Sequence, residues 1–256
     1  MKKVLLSLAM AMALMAPTAL QAKVKHLLPK PQKINVMVED YPAFTLSGNV
    51  TIKYSGGAEK CALLEEFFTS NGCTLAEGDK VVNVSLVESI PEAYDYELHG
   101  YENEAYTLRV SDDITITAIT TTGIIRAAQT LTQMAEGWGD GAAALEPVEI
   151  TDWPAFKVRG YMHDVGRSFI SADELVKQVE KFSRFKVNTF HWHLTENQAW
   201  RFEVKAYPEL TSSESMTRFP GQYYTQEDCK RLMAVAKKHG VIVIPEIDMP
   251  GHSEAF

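Results

Sequence analysis

The feature that most constrains this chain lies in residues 157–250, where the hydrophobic period switches between strand and helix four times. KVRGYMHDV predicts a strand, and SADELVKQVEKFSRF predicts a helix. The helix opens on Ser171 with Glu174 three residues on, the spacing of a capping box, and carries apolar residues at helical intervals. VNTFHWHL predicts the second strand. TQEDCKRLMAVAKKHG predicts a helix capped by Thr225 and closed by Gly240; it leads into VIVIPEIDMP, an apolar run suited to a strand buried on both faces. Strands joined in this way run parallel with helices outside them, in either a doubly wound sheet or a (β/α)8 barrel.

The ionisable residues of this region gather where its strands end. Asp164 and Arg167 close the first strand, and His191, His193, Glu196 and Asn197 close the second. Glu246, Asp248 and His252 close the third. In a βα barrel the C-terminal strand edge carries the active site, and the opposite edge serves stability. His191 and His193 stand two residues apart, so both point to one side of a strand and could share a zinc ion at about 2.0 Å each. Asp248 and His252 are candidates for the further ligands a metal requires. The competing reading makes the histidines hydrogen-bonded supports for neighbouring carboxylates. Trp192 and Trp200 are aromatic, and a flat ring beside polar groups suits the face of a sugar. Trp200 follows the polar TENQ loop and is the better placed of the two to meet a ligand.

Ahead of this region, residues 23–150 read as a small α+β domain. VVNVSLV, AYTLRV and DITITAI alternate with period two, and the last two are joined by a short Ser-Asp turn that suits a hairpin. AEKCALLEEFFTS and TGIIRAAQTLTQM carry helical spacing. EGWGDGAAALEPVEITDWP is rich in Gly and small residues and holds two prolines, which places a boundary near Ile150, with residues 151–256 beyond it.

Residues 1–22 put Lys2 and Lys3 before an apolar run and end in small residues, the pattern of a secretory signal peptide with Ala22 as the last residue removed. The run is too short to span a bilayer as a helix of about 20 residues. Export is therefore expected, to the periplasm, the cell surface or the medium. Removing this segment takes away two lysines and no acids and moves the formal charge from −8 to −10, which argues against nucleic acid as a partner. Cys61, Cys73 and Cys229 lack metal-ligand spacing; Cys61 and Cys73 could pair in an oxidising compartment or remain buried thiols.

RGYMHDVGRSFI, KVNTFHWHLTENQAWRFEVKAYPELT and YTQEDCKRLMAVAKKHGVIVIPEIDMPGH resemble consecutive motifs of glycoside hydrolase family 20, the exo-acting β-N-acetylhexosaminidases. The region before them is similar, more loosely, to that family's non-catalytic α+β domain. The resemblance implies the first three βα units of a (β/α)8 barrel and a substrate of glycans or oligosaccharides ending in N-acetylhexosamine. It implies that Arg167 holds the 3- and 4-hydroxyls of the terminal sugar and that His252 supports a general acid through a hydrogen-bonded chain. Glu196 and Asn197 stand where most members carry two aspartates, and Asp248 matches a support residue before PGH. Asp164, His193 and Trp200 join Arg167 in the expected substrate-binding set.

In that family the substrate's acetamido oxygen attacks the anomeric carbon, an adjacent Asp-Glu pair orients it and moves the proton, and no metal or cofactor takes part. The only Asp-Glu pair here, Asp173-Glu174, opens a helix and has a capping role, so no catalytic residue is assigned within these 256 residues and the chain alone is expected to be inactive. Two alternatives stay open: a metal-dependent barrel hydrolase using His191 and His193, and a non-catalytic carbohydrate-binding remnant.

Overall fold

The structure, a computed structural model, describes residues 26–37, 41–91, 102–136 and 143–255. The segment read as a signal peptide, residues 1–22, lies outside the described residues. Among those described, no helix is long and apolar enough to cross a membrane. The chain divides into two compact units, Met1–Lys157 and Val158–Phe256.

The first unit contains β1 (Lys33–Val36), β2 (Phe44–Thr45), β3 (Gly48–Ser55), α1 (Ala62–Ser70), β4 (Cys73–Leu75), β5 (Lys80–Leu86), β6 (Tyr106–Val110), β7 (Ile114–Ala118), α2 (Thr121–Glu136), β8 (Ala144–Leu145) and β9 (Val148–Asp152). Seven of the strands form one mixed sheet in the order β1-β9-β6-β7-β5-β3-β4. The hairpin expected from the Ser-Asp turn is β6 against β7, antiparallel, with Ile114, Ile116 and Ala118 all turned inward. Leu64 and Phe68 of α1 and Ile124 and Leu131 of α2 pack with Val82, Val84 and Leu108 of the sheet. Each such side chain, fully removed from water, contributes roughly 1.5–3 kcal/mol before chain entropy is counted. Cys61 and Cys73 are buried free thiols.

The boundary placed near Ile150 cuts through β9, which pairs with β1 and with β6. Val148, Ile150 and Asp152 alternate inward, so β9 belongs to the sheet of the first unit. The division falls after Lys157 instead.

The second unit contains β10 (Gly160–Asp164), α3 (Ala172–Ser183), β11 (Thr189–His193), β12 (Thr195–Glu196), β13 (Ala199–Trp200), α4 (Gln226–Lys238) and β14 (Ile242–Glu246). β10, β11 and β14 form a parallel sheet in that order, and the crossovers are the two helices, which makes this an α/β unit. The Thr225 side chain accepts from the Asp228 N–H at 3.1 Å while the Asp228 carboxylate accepts from the Thr225 N–H at 3.1 Å, a complete capping box for α4. At α3 the Ser171 hydroxyl accepts from the Glu174 N–H at 3.3 Å, but the Glu174 carboxylate turns to Lys177 at 2.6 Å instead of completing the box. Leu175 and Val179 of α3 and Leu232 and Ala236 of α4 bury against Phe190 and Trp192 of β11.

Parallel register puts in-line partners on the same face. Asp164, His193 and Glu246 form one row, with Met162, His191 and Ile244 in the row beneath. The expectation that VIVIPEIDMP is buried on both faces fails on this face: Ile242 is 65% and Ile244 47% exposed. β14 is an edge strand of this three-stranded sheet.

Candidate functional site

The site is built on the first row. Asp164 ends β10, and one carboxylate oxygen accepts from the Arg167 backbone N–H at 3.0 Å while the other accepts from the Arg167 guanidinium. Partial burial alone would raise the Asp164 carboxyl; the hydrogen bonds from Arg167 and its charge outweigh that and hold it below its ordinary value. The second terminal nitrogen of Arg167 donates to Glu196 Oε1 at 2.8 Å. His252 meets the same Glu196 oxygen through Nδ1, and the Asn197 N–H donates to Oε2 at 3.0 Å. Glu196 is only 5% exposed, so one buried carboxylate gathers groups from the ends of all three strands.

A second cluster adjoins it. His193 is buried, with Nδ1 2.9 Å from Glu246 Oε2 and 3.9 Å from Asp248 Oδ2, and Nε2 4.0 Å from Asp164 Oδ1. The approach to Glu246 is close in distance but off the angle of a hydrogen bond, so the pairing is electrostatic. His191 reaches the same Glu246 oxygen through Nε2 at 2.5 Å. Burial raises the Glu246 carboxyl, but the two imidazoles outweigh it and leave it below its ordinary value. The Asp248 N–H donates to the Thr195 hydroxyl at 3.0 Å, tying the segment after β14 to β12.

His191 and His193 converge on Glu246 as their common partner. Among the described residues, the groups placed to hold a cation are His193, Glu246 and Asp248, whose ligand atoms lie within 4.8 Å of one another. Of the expected site residues, Asp164, Arg167, Glu196 and His252 come into direct contact, and His193 and Asp248 stand beside them. Trp200 does not present the open ring expected of it: it is 8% exposed, paired with Thr195 across β12 and β13, and its indole N–H donates to the Phe202 carbonyl. Trp192 lies on the helix side of the sheet, its ring 4.7 Å from that of Tyr224, and is core. Glu246 lies outside the expected substrate-binding and support set, yet it stands in register with Asp164 and His193, and strand parity counted back from Asp248 is the sequence signal that points to it.

Residues 156–256 match the family model described as glycosyl hydrolase family 20, catalytic domain, and residues 25–153 match glycosyl hydrolase family 20, domain 2. The chain belongs to glycoside hydrolase family 20. A β-hexosaminidase of Emericella nidulans is 39% identical over 197 residues, covering 74% of this chain and 32% of that protein. Among solved structures, the family 20 exo-β-N-acetylglucosaminidase of Vibrio harveyi, in complex with N-acetylglucosamine, superposes with a TM-score of 0.72 at 28% identity, covering 91% of this chain and 37% of that one. The β-N-acetylhexosaminidase of Bacteroides fragilis superposes at 0.69 and 31% identity, covering 90% and 46%. The chain therefore spans less than half the length of each of these relatives. The carboxylates of Asp173 and Glu174 are engaged by Arg231 at 2.7 Å and Lys177 at 2.6 Å, which accounts for that pair without a catalytic role in this family 20 chain.

Proposed function

We propose that this chain carries the sugar-holding side of a β-N-acetylhexosaminidase that removes terminal N-acetylhexosamine from β-linked glycans by substrate-assisted, retaining hydrolysis. The observation that carries this reading is the anchored guanidinium of Arg167. Asp164 and Glu196 each take one of its terminal donors, and the nitrogen that meets Glu196 also faces His252 Nδ1 at 3.4 Å; the side chain is still 47% exposed, so the N–H groups left on Nε and on the other terminal nitrogen can meet two neighbouring hydroxyls. Glu196 then links this sugar-holding group to His252, the position expected to support the general acid.

On this reading β10, β11 and β14 are the first three strands of a (β/α)8 barrel, and residues 1–22 direct export. The orienting aspartate and the acid glutamate come from outside these 256 residues, and neither nucleic acid nor metal takes part. The Vibrio relative's complex with N-acetylglucosamine supports the sugar class.

The test is hydrolysis of a chromogenic β-N-acetylglucosaminide by the full-length gene product in the presence of a chelator, with the anomeric configuration of the product followed by NMR. Turnover with retention is expected. Loss of activity on chelation, restored by zinc, would transfer the chemistry to His193, Glu246 and Asp248. Turnover by the purified 256-residue chain alone would show that the general acid lies within it.

A further inference from the structure

We infer that Arg201 is a positioning residue for the sugar-binding Arg167, acting through the backbone of the loop that carries it; the inference rests on the reading of Arg167 given above. Arg201 follows β13 and is the largest fully buried side chain among the described residues. No carboxylate among those residues pairs with it. Instead its five N–H donors are met by five backbone carbonyls. Nε donates to Val165 O at 3.1 Å, and one terminal nitrogen donates to Phe219 O at 3.1 Å and Gln222 O at 2.8 Å. The other terminal nitrogen donates to Gly166 O at 3.2 Å and Arg218 O at 2.9 Å. The rings of Phe169 and Phe219 lie 5.7 and 5.9 Å from its guanidinium carbon.

A buried cation without a counter-charge is costly, and burial does push the Arg201 guanidinium below its ordinary pKa. Carbonyl dipoles and aromatic faces offset that cost only while all of them are held in place. What they hold is informative. Val165 and Gly166 are the two residues immediately before Arg167, and the other three carbonyls belong to residues 218–222. Arg201 is itself fixed, its N–H donating to Leu194 O at 3.1 Å and its carbonyl accepting from Tyr224 N at 2.8 Å. The guanidinium therefore ties the loop after β10 to the 218–222 loop, and the Arg201 backbone N–H anchors that link at Leu194 after β11. Lysine, with three donors and no planar fork, cannot make this connection.

Two measurements test it. Amide exchange on the purified chain reads the loop directly: in Arg201→Lys, peptides covering residues 164–168 should exchange at least about tenfold faster, with amides at the centre of α4 unchanged. Leu232→Ala, which empties a buried position in α4, should speed exchange in α4 and leave 164–168 alone. If Arg201→Lys does not fold, Phe219→Ala at the half-exposed lid should show the same local change at roughly two- to fivefold. In the full-length enzyme, Arg201→Lys should raise KM at least about tenfold with a smaller change in kcat, and in an Arg167→Lys background it should change KM by less than about twofold. Exchange at 164–168 unchanged in the folded variant, or an undiminished KM effect once Arg167 is lysine, would overturn the inference. Absence of turnover in the unaltered enzyme would count against the proposed function, and the exchange result would still decide the role of Arg201.

Discussion

Gly166 offers the sharpest test of how tightly the Arg167 loop is seated. A Cβ built there lies 3.0 Å from Glu196 Cβ, 3.1 Å from the Thr195 carbonyl oxygen and 3.2 Å from the Thr195 carbonyl carbon. Ordinary carbon contacts lie at about 3.5–4.0 Å, so Gly166→Ala asks for roughly half an ångström that β12 must supply. β12 cannot yield easily: Thr195 and Glu196 are both buried, and the strand is paired with β13. Overpacking of this kind costs about 1–3 kcal/mol, and the loss of glycine's freedom in the unfolded chain returns about 0.4–1 kcal/mol. The net expectation is a destabilisation centred on about 1.3 kcal/mol, within a range of about 0–2.6 kcal/mol. With a urea slope of about 2 kcal/mol per molar, the unfolding midpoint should fall by roughly 0.6 M at that centre.

The control is Gly160→Ala at the start of β10, where the nearest atoms to an added Cβ are 3.8 and 3.9 Å away and the change should be neutral or slightly stabilising. Both variants are followed by tryptophan fluorescence in urea on the purified chain. If Gly166→Ala unfolds within about 0.2 M of Gly160→Ala, the loop is not seated against β12 and the argument from close approach is wrong.

Three further outcomes follow from the same contacts. Because the folded Asp164 carboxyl titrates below its unfolded value of about 4, its pairing with Arg167 stabilises the chain above that pH and is lost as pH falls through the lower folded value. Acid unfolding below about pH 4 should therefore be shallower in Asp164→Asn than in the unaltered chain, and equal slopes would remove Asp164 from the linkage. In the full-length enzyme Arg167→Lys should lower kcat/KM by roughly a hundredfold, since an ammonium cannot hold two carboxylates and two hydroxyls in one plane; near-normal kinetics would remove Arg167 from the sugar site. Thr225→Ala removes the side-chain half of the α4 capping box, leaving the Thr225 N–H to Asp228 half in place, and should cost about 1 kcal/mol in urea unfolding, whereas an unchanged midpoint would mean the helix start is held by other contacts.

What could be read in the sequence was what depends on local period and spacing. The strand-helix alternation gave β10, α3, β11, α4 and β14, and the order of strand ends gave the set that Glu196 gathers. What could not be read depends on partners distant in sequence. β9 looked like part of a linker because its neighbours β1 and β6 lie far away in the chain. Trp200 follows polar residues, but its two-residue pairing with β12 turns the ring inward, and no periodicity signals a ladder so short. Glu174 satisfies the capping-box spacing, yet Lys177 competes for its carboxylate one turn on. Arg201 is the extreme case. An arginine inside a polar stretch reads as solvated, and its burial becomes intelligible only when five carbonyls from two separate loops are seen around it.

On the proposed reading of this site, the two arginines would divide the work of recognising a neutral sugar. Sugar hydroxyls offer no charge to pull a flexible cation into place, so a free arginine would have to give up its rotamer freedom at the moment of binding. Here Asp164 and Glu196 hold Arg167 already in folding, and Glu196 is in turn fixed by Asn197 and His252. On that reading the ordering cost is met before any ligand arrives, and what would remain for a sugar is to fill a fork of donors already in position. The carboxylates that do this are acceptors only, and an exposed pair of them would recruit any cation nearby. Their engagement by Arg167, His252 and the backbone is what leaves the Arg167 donors facing outward beside them.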